Sequence, residues 1–498
     1  MRHAAETAAG IQGMETEMRG KKELKKSMIM HGLVLAHFVL MLCTFVAAWS
    51  LFYRSLAHQG LFSTNSMAVC TLYAVSLFML DRIYTVYKVG LFRISELVYG
   101  QSLAALISLG LTYMLACVLA LKPLNPIPLI ALLLLQIILC ALWTRTANKV
   151  YFKINVAKRT VVVYRDVRDL EKLEEIRYFE SRWNVQKQIH CPETFGHDIP
   201  NGGRIAGMKS MDIYDLMEQL AGYEVVFVVG INAKLRNGIV KRCIETKRDC
   251  YFVPHTGDVI VSGAEHIKSF SIPILRARRA NPSPEYLFVK RAFDIAASLI
   301  AILVASPFML VTAIAIKAYD KGPALYKQVR LTKDGERFEI LKFRSMKVNA
   351  EKDGVARLAS EHDDRITPVG RIIRAIRFDE LPQLFNILRG DMTIVGPRPE
   401  RPEIAEQYMQ ELPAFSLRLQ VKAGLTGYAQ VYGRYNTEPS DKLKMDLMYI
   451  NNMGVMEDLK LMFATVRILF MKESTSGIGE GQTTALGMNA VQKQEESA

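Results

Sequence analysis

Two adjacent carboxylates, Asp379 and Glu380, stand in the segment Arg374-Ala375-Ile376-Arg377-Phe378-Asp379-Glu380-Leu381-Pro382-Gln383-Leu384-Phe385-Asn386. Neighbouring side chains on a helix diverge by about 100°, so the pair cannot stack as a general acid and base, but it can serve two ends of one reaction. One carboxylate can attack phosphorus while the other holds a metal. Mg²⁺ suits such a site, because it takes oxygen ligands and commonly binds through one or two carboxylates plus substrate phosphates. An acidic pair standing alone would read as a solvated helix cap. This pair is surrounded by cations: Arg330, Lys342, Arg344, Arg365, Arg371, Arg374, Arg377, Arg389, Arg398 and Arg434. Guanidinium groups bind phosphate oxygens in a bidentate fork, so the set fits a multiply charged phosphate substrate. Nucleic acid is the competing ligand and is disfavoured, since aromatic residues are not interleaved as on a single-strand stacking platform and no groove-reading motif occurs.

The elements that must position these residues divide between bilayer and water. Of 498 residues, 50% are hydrophobic and 22% charged, too apolar for disorder and too charged for a protein wholly within the membrane. The net charge of +14 fits nucleic acid, anionic lipid or phosphate substrates without choosing among them. The 7 cysteines include no Cys-x-x-Cys pair, which argues for reduced thiols and against a zinc site or a disulfide framework. The first 27 residues are polar and no small-residue cleavage pattern follows at signal-peptide length, so no cleaved signal is expected.

Apolar segments at about Met28 to Tyr53, Leu61 to Leu80, Leu97 to Leu121 and Ile127 to Trp143 are each near the ~20 residues that cross the hydrocarbon core. The second is weakest, with Ser63, Thr64, Asn65 and Ser66 at its start, and its span can slide by several residues. Lysine and arginine are abundant before the first span, in the middle loop and after Trp143, and sparse in the other two loops, which places the abundant regions in the cytoplasm. Thr160 to Phe270 alternates strand and helix signals: strands at Thr160 to Tyr164, Glu224 to Ile231 and Tyr251 to Pro254, helices at Asp166 to Glu180 and Ala233 to Glu245. A Rossmann-like unit follows from that alternation, although no glycine fingerprint comes after its first strand. A fifth apolar run, Ala292 to Ile316, is flanked by Lys290-Arg291 and Lys317 and interrupted by Ser306-Pro307. Proline inside a helix removes a hydrogen bond, so the run either bends and returns to the cytoplasm or spans with a tilt. Parity favours the re-entrant form, because a true fifth span would put the region rich in Arg, Asp and Glu after Lys317 outside the cell, where a catalytic domain using cytosolic nucleotides could not work.

Several motifs occur in order: Lys290-Arg291-Ala292-Phe293-Asp294, Ser306-Pro307, Gly322-Pro323 through Arg330, Lys342-Phe343-Arg344-Ser345-Met346, Asp379-Glu380-Leu381-Pro382-Gln383, Gly390-Asp391-Met392, Val395-Gly396-Pro397-Arg398-Pro399 and Gly424-Leu425-Thr426-Gly427, running on to Gly433-Arg434. The set resembles the bacterial sugar transferase family, the monotopic polyprenyl-phosphate phosphoglycosyl transferases, over about residues 286 to 475. The earlier spans and the α/β region look like those of large members that start O-antigen, capsule or exopolysaccharide assembly. The resemblance implies that Asp379 attacks the sugar-linked phosphorus of a UDP-sugar and expels UMP, that Glu380 is the Mg²⁺-associated acid, and that a polyprenyl phosphate then accepts the sugar phosphate. It makes Lys342, Arg344, Arg374, Arg398 and Arg434 candidate phosphate contacts and Asp458 a candidate polar site residue. It also implies a homodimer in the bacterial inner membrane. Where the family usually places Ser-Leu before the dyad, this chain has Arg377-Phe378.

The expected architecture is therefore a membrane α-helical bundle (28–150) after a cytosolic segment (1–27), a cytosolic Rossmann-like α/β domain (151–275), and a mainly α catalytic domain (276–498) with a re-entrant helix at 292–316 kinked at Ser306 and Pro307. Two other functions compete: glycosyl transfer to polyprenyl phosphate with release of UDP, against which stands the lack of an Asp-x-Asp motif, and a non-enzymatic membrane scaffold, which leaves Asp379-Glu380 unexplained.

Overall fold

The computed structural model describes residues 2–53, 63–167, 170, 173, 182–191, 216, 218–267, 272–348, 363, 365–433 and 437–468. They fall into two compact units, Met1–Val253 and Pro254–Ala498.

The first unit opens with helices α1 (Arg2–Phe52), α2 (Thr64–Ile83), α3 (Ile94–Ala120) and α4 (Ile127–Ile154). Leu24–Phe52 of α1 and the other three helices are each long and apolar enough to cross a membrane. α1 and α3 both pack between α2 and α4, closing a four-helix ring. The weak second span begins at Thr64 because the Ser63 hydroxyl accepts the Ser66 N–H at 3.3 Å and caps the helix. The polar cluster there is thus a start signal, and the helix runs on to Ile83, with Leu61 and Phe62 outside the described residues. Buried polar side chains tie the ring together. Gln136 donates to the Tyr73 hydroxyl (2.8 Å) and the Met41 carbonyl (3.3 Å), and Thr144 donates to Gln101 Oε1 (2.8 Å). In an apolar surrounding such groups must find one another.

After α4 come β1 (Lys158–Tyr164), β2 (Trp183–His190), β3 (Val225–Val229), α5 (Ala233–Glu245) and β4 (Asp249–Phe252). The strands form one parallel sheet in the order β2-β1-β3-β4. β3, Val-Val-Phe-Val-Val, is buried throughout, as a central parallel strand must be. The sequence reading missed β2. That edge strand buries only Ile189 fully and otherwise shows polar residues, so it lacks the apolar run that marked its neighbours. The helix expected over Asp166 to Glu180 lies mostly outside the described residues.

The second unit begins with α6 (Thr256–Ser262) and the antiparallel hairpin of β5 (Glu265–Ile267) and β6 (Ile274–Arg276). The boundary therefore lies at Val253, ahead of the position 275 expected from sequence. Packing explains it: Val259 is buried in this unit's core, and Asn451 Nδ2 donates to its carbonyl at 2.6 Å. Next comes α7 (Pro284–Asp320), then the antiparallel pair β7 (Leu325–Leu331) and β8 (Arg337–Phe343), α8 (Pro368–Ala375) and α9 (Gln383–Arg389). β9 (Thr393–Val395) pairs in parallel with β10 (Gly424–Thr426), with α10 (Pro402–Glu411) and a 3-10 stretch, Pro413–Gln420, between them. α11 (Tyr428–Val431), α12 (Pro439–Asn451) and α13 (Val455–Ile468) complete the unit. Gly396 and Gly424 sit where the ends of β9 and β10 approach so closely that a Cβ on either would strike the other segment's backbone.

α7 is one continuous helix of 37 residues despite Pro307, and it is the fifth helix long and apolar enough to cross a membrane. Pro307 has no N–H for the Leu303 carbonyl, and the Ser306 hydroxyl donates to that carbonyl at 2.9 Å instead. Both halves of α7 pack on this unit. Before the proline, Ala297, Ala301 and Ile302 meet the main core, while buried Asp294 accepts from Thr393 Oγ1 (2.6 Å) and the Ile394 N–H (3.1 Å). After it, Met309, Ala313 and Ile316 pack with Phe343, Ile373, Phe378 and Leu381. The opposite face, including Leu303, Val304, Leu310 and Val311, is exposed.

Candidate active site

The Asp379-Glu380 pair lies on a single 3-10 turn, Phe378–Glu380, wedged between α8 and α9. Arg377 enters this turn in the left-handed region (φ 55°), which is rare outside glycine and reverses the chain directly after α8. Phe378 anchors the turn from below: its ring meets Phe308 edge-on, with centroids 6.3 Å apart, one residue past the α7 proline. The residue pair departing from the family's Ser-Leu thus has one member packed on the apolar helix and the other shaping the turn.

Glu380 is held from two elements. Lys342 Nζ on β8 lies 3.4 Å from its Oε1, and Arg398 Nη2, from the segment after β9, lies 2.9 Å from the same oxygen. Burial alone would push the Glu380 carboxyl up, but the charges of Arg398, Lys342 and Arg377 outweigh it and hold the group well below the usual carboxylate range. Asp379 goes the other way. Burial and the adjacent Glu380 charge raise its carboxyl above the usual range, against the pull of Lys342, Arg374 and Arg398. Lys342 is itself lowered, chiefly by burial. The turn therefore holds one firmly ionised carboxylate beside one whose negative charge is electrostatically costly. A divalent cation or protonation would relieve that cost, and so would formation of a covalent bond to the carboxylate oxygen.

The candidate residues do not all gather here. Lys342, Arg374 and Arg398 surround the dyad. Arg344 instead forms a buried ion pair with Asp320 at the end of α7, its guanidinium filling the space over Gly322. Asp458 on α13 accepts from Lys290 Nζ (2.7 Å), Tyr286 OH (2.8 Å) and Tyr449 OH (2.8 Å), which binds α13 to the first turns of α7. Arg434 lies outside the described residues. Sequence reasoning passed over a second set of charges, Glu400, Arg418, Lys442 and Asp446, whose mutual influence is strong. No local signal could have found it, because a charge on an amphipathic helix reads as solvated until its neighbours are known. Among the described residues no group of three or more His, Cys, Asp or Glu side chains is placed to hold a metal.

The bacterial sugar transferase family model matches residues 285–472, a region that begins at the first turn of α7 and contains the whole site. A curated glucose-1-phosphate transferase of Caulobacter vibrioides, acting on UDP-glucose and undecaprenyl phosphate by its name, is 39% identical over 211 residues, covering 41% of this chain and 79% of that protein. The chain belongs to the bacterial sugar transferase family. An undecaprenyl-phosphate N-acetylgalactosaminephosphotransferase of Aeromonas hydrophila is 44% identical over 191 residues, 38% of this chain and 45% of that relative. A further family member, a UDP-glucose:undecaprenyl-phosphate glucose-1-phosphate transferase of Klebsiella pneumoniae, is 35% identical over 243 residues, 47% of this chain and 52% of the relative. The match thus spans about half the length of these last two relatives.

Proposed function

We propose that this protein transfers a sugar 1-phosphate from a UDP-sugar to a polyprenyl phosphate, releasing UMP and giving a polyprenyl-diphosphate sugar that initiates assembly of a surface or exported polysaccharide. The observation that carries this reading is the Asp379-Glu380 turn, with Lys342 and Arg398 on Glu380 and Arg374 beside Asp379, inside the family region. Relatives whose names specify undecaprenyl-phosphate phosphotransfer support it.

In the first step an Asp379 carboxylate oxygen attacks the sugar-linked phosphorus; a new P–O bond forms as the bond to the UMP oxygen breaks. In the second, an oxygen of polyprenyl phosphate attacks the same phosphorus and frees the aspartate. Phosphate substrates bring negative charge toward a nucleophile that is itself an anion, so the cations about the turn must offset repulsion as charge moves onto the leaving UMP. Arg398 and Lys342 are already fixed on Glu380, so little reorganisation is needed at the moment of reaction.

Magnesium fits this donor set. Two adjacent carboxylates, one of them raised by the charge of the other, are the oxygen ligands such an ion takes together with substrate phosphates. Glu380 would be its principal protein ligand. Bound there, Mg²⁺ would supply charge neutralisation at the phosphates.

The active site is assigned to the cytosolic face of the inner membrane, where a soluble UDP-sugar can meet a lipid phosphate. The cation pattern of the loops and the packing of α7 support this topology. A straight transmembrane helix would carry its two halves to different depths, whereas Asp294 and Ala297 before Pro307 and Met309 and Ile316 after it all pack on one unit. A re-entrant α7, with its exposed face toward lipid, accounts for both.

The test is nucleotide release in membranes supplied with polyprenyl phosphate and a panel of UDP-sugars. Wild type is expected to release UMP, and Asp379→Asn, isosteric but uncharged, none. Release of UDP would establish ordinary glycosyl transfer instead, and UMP release by Asp379→Asn at the wild-type rate would remove Asp379 as the nucleophile.

A further inference from the structure

Arg398 reaches Glu380 from the segment Gly396-Pro397-Arg398-Pro399-Glu400, and the backbone of that segment is gripped at each carbonyl from 397 to 400. Pro397 O accepts from the Gly424 N–H at 2.9 Å, Arg398 O from Arg418 Nη2 at 2.9 Å, Pro399 O from Arg330 Nη1 at 3.1 Å, and Glu400 O from the Leu331 N–H at 3.0 Å. Prolines on either side of Arg398 fix φ at their own positions, which restricts the segment further. The two side-chain grips come from arginines, and that of Arg418 is the more deeply built. Arg418 is 3% exposed. Its Nε and Nη2 both lie 2.8 Å from Asp446 Oδ2, its Nη1 lies 3.4 Å from Glu400 Oε1, and its guanidinium carbon sits 4.8 Å from the centre of the Phe415 ring.

A buried ion pair of this kind is not in itself a source of stability, because well-packed apolar residues of similar volume often do as well. What an apolar substitute could not do is hold the Arg398 carbonyl and the Glu400 carboxylate at once. The fork does this because its donors are fixed in one plane. We propose that Arg418 is a positioning residue: anchored on Asp446, it holds the backbone at Arg398 so that the Arg398 guanidinium stays on the Glu380 carboxylate. The inference rests on the reading of Asp379-Glu380 as the phosphosugar-transfer dyad. Arg330, one carbonyl further along, shares the task from β7; burial, opposed by the Glu400 charge, pushes its guanidinium down to about 10.

The consequence is a split between kcat and KM. The side chains that touch the Glu380 carboxylate are Lys342 from β8 and Arg398. Letting Arg398 drift removes one of these contacts from protein that is otherwise folded, so turnover per folded molecule falls. A residue that only helped the protein fold would change the amount of active enzyme and leave kcat per folded molecule in place.

The experiment compares full-length wild type, Arg418→Lys and Glu400→Gln in lipid nanodiscs, measuring UMP release against UDP-sugar concentration and normalising it to folded protein. Lysine keeps the charge opposite Asp446 but not the fork. The expected result is a kcat per folded molecule lower by on the order of 100-fold, with KM for the UDP-sugar little changed. Glu400→Gln, which keeps its shape and loses the ion pair to Arg418, is expected to show the same loss of kcat in smaller degree, and it decides the matter should Arg418→Lys not fold. An unchanged kcat per folded molecule in the variants, with rates falling only as folded protein falls, would overturn the proposal. Wild type that releases no UMP from UDP-glucose, UDP-galactose or UDP-N-acetylgalactosamine would defeat the functional reading instead. Positioning is then read from a double-mutant cycle on thermal unfolding: the coupling between Arg398→Ala and Glu380→Gln, measured with Arg418 in place and in the Arg418→Lys background, is expected to shrink in the latter, and an unchanged coupling refutes it.

Discussion

Replacing Asp458 by asparagine should destabilise the second unit without touching its chemistry. The carboxylate takes three hydrogen bonds: Lys290 Nζ and Tyr286 OH on Oδ2, and Tyr449 OH on Oδ1. Both Asp458 and Lys290 keep only 11% of their side-chain exposure, so removing the negative charge leaves an ammonium in poor solvent. Breaking a buried pair by deleting one partner costs about 3–5 kcal/mol. Asparagine retains an acceptor oxygen, and Lys290 keeps the Val395 carbonyl at 2.9 Å, so a cost at or just below the bottom of that range, about 2–3 kcal/mol, is the working figure. At roughly 2–4 °C per kcal/mol for a unit of this size, the melting temperature should fall by roughly 4–12 °C. Thermal unfolding in detergent or nanodiscs measures it, with UMP release normalised to folded protein below the transition. If Asp458→Asn melts like wild type but loses most of its turnover, the residue belongs to the site and the account of it as a tie between α7 and α13 is wrong.

Other outcomes follow from the same geometry. Since burial and the Glu380 charge raise Asp379, the ionised form of the proposed nucleophile is lost as pH falls through a value above the ordinary aspartate range; Glu380→Gln removes one of the two causes, so on the proposed reaction its residual UMP release should extend to lower pH than wild type, and a limb that moves upward would refute the assignment. A fragment beginning at Pro254 should be more stable than one beginning at Pro282, because the latter loses Val259 from the core, a burial of about 1.5–3 kcal/mol, together with its bond to Asn451; equal denaturation midpoints would count against it. Changing Ser306→Leu with Pro307→Leu supplies the missing N–H to the Leu303 carbonyl and should favour a straight span, so a single cysteine near residue 320 becomes labelled by an impermeant thiol reagent in intact cells only after the double change.

Much of this was legible in the sequence because the signals were local. The apolar runs, the Ala233–Glu245 helix and the valine-rich central strand each declare themselves within a dozen residues. Motif order carried the dyad. What stayed hidden depends on which charges face which. Arg344 and Arg398 look alike as arginines flanked by motif residues, yet one is paired with Asp320 and the other with Glu380. The difference arises from the fold of β8 against the end of α7 and from the path of the chain after β9, neither of which a linear pattern contains. The same reason hid β2, an edge strand that needs little apolar surface, and the docking of α6 on α12 through Asn451.

The placement of the dyad on its turn also explains why α7 and the chemistry belong to one folding unit. Phe308 and Phe378 meet one residue past Pro307, so the residue before Asp379 is seated on α7 beside the point where one backbone hydrogen bond of the helix is missing. Ile316 and Phe343 extend that contact to the foot of β8, the strand that supplies Lys342. A shift of α7 after Pro307 would therefore move both the Asp379 turn and the lysine that faces it. The segment bearing Arg398, gripped at successive carbonyls from β7, β10 and Arg418, follows β9, which Asp294 and Lys290 in the first half of α7 hold at Thr393, Ile394 and Val395, so the site is assembled from one part seated on the second half of α7 and one part tied to its first half. Phosphate charge must be met by both at once, which makes the Glu380 carboxylate, touched by Lys342 from one side and Arg398 from the other, the point where the two parts are brought into register.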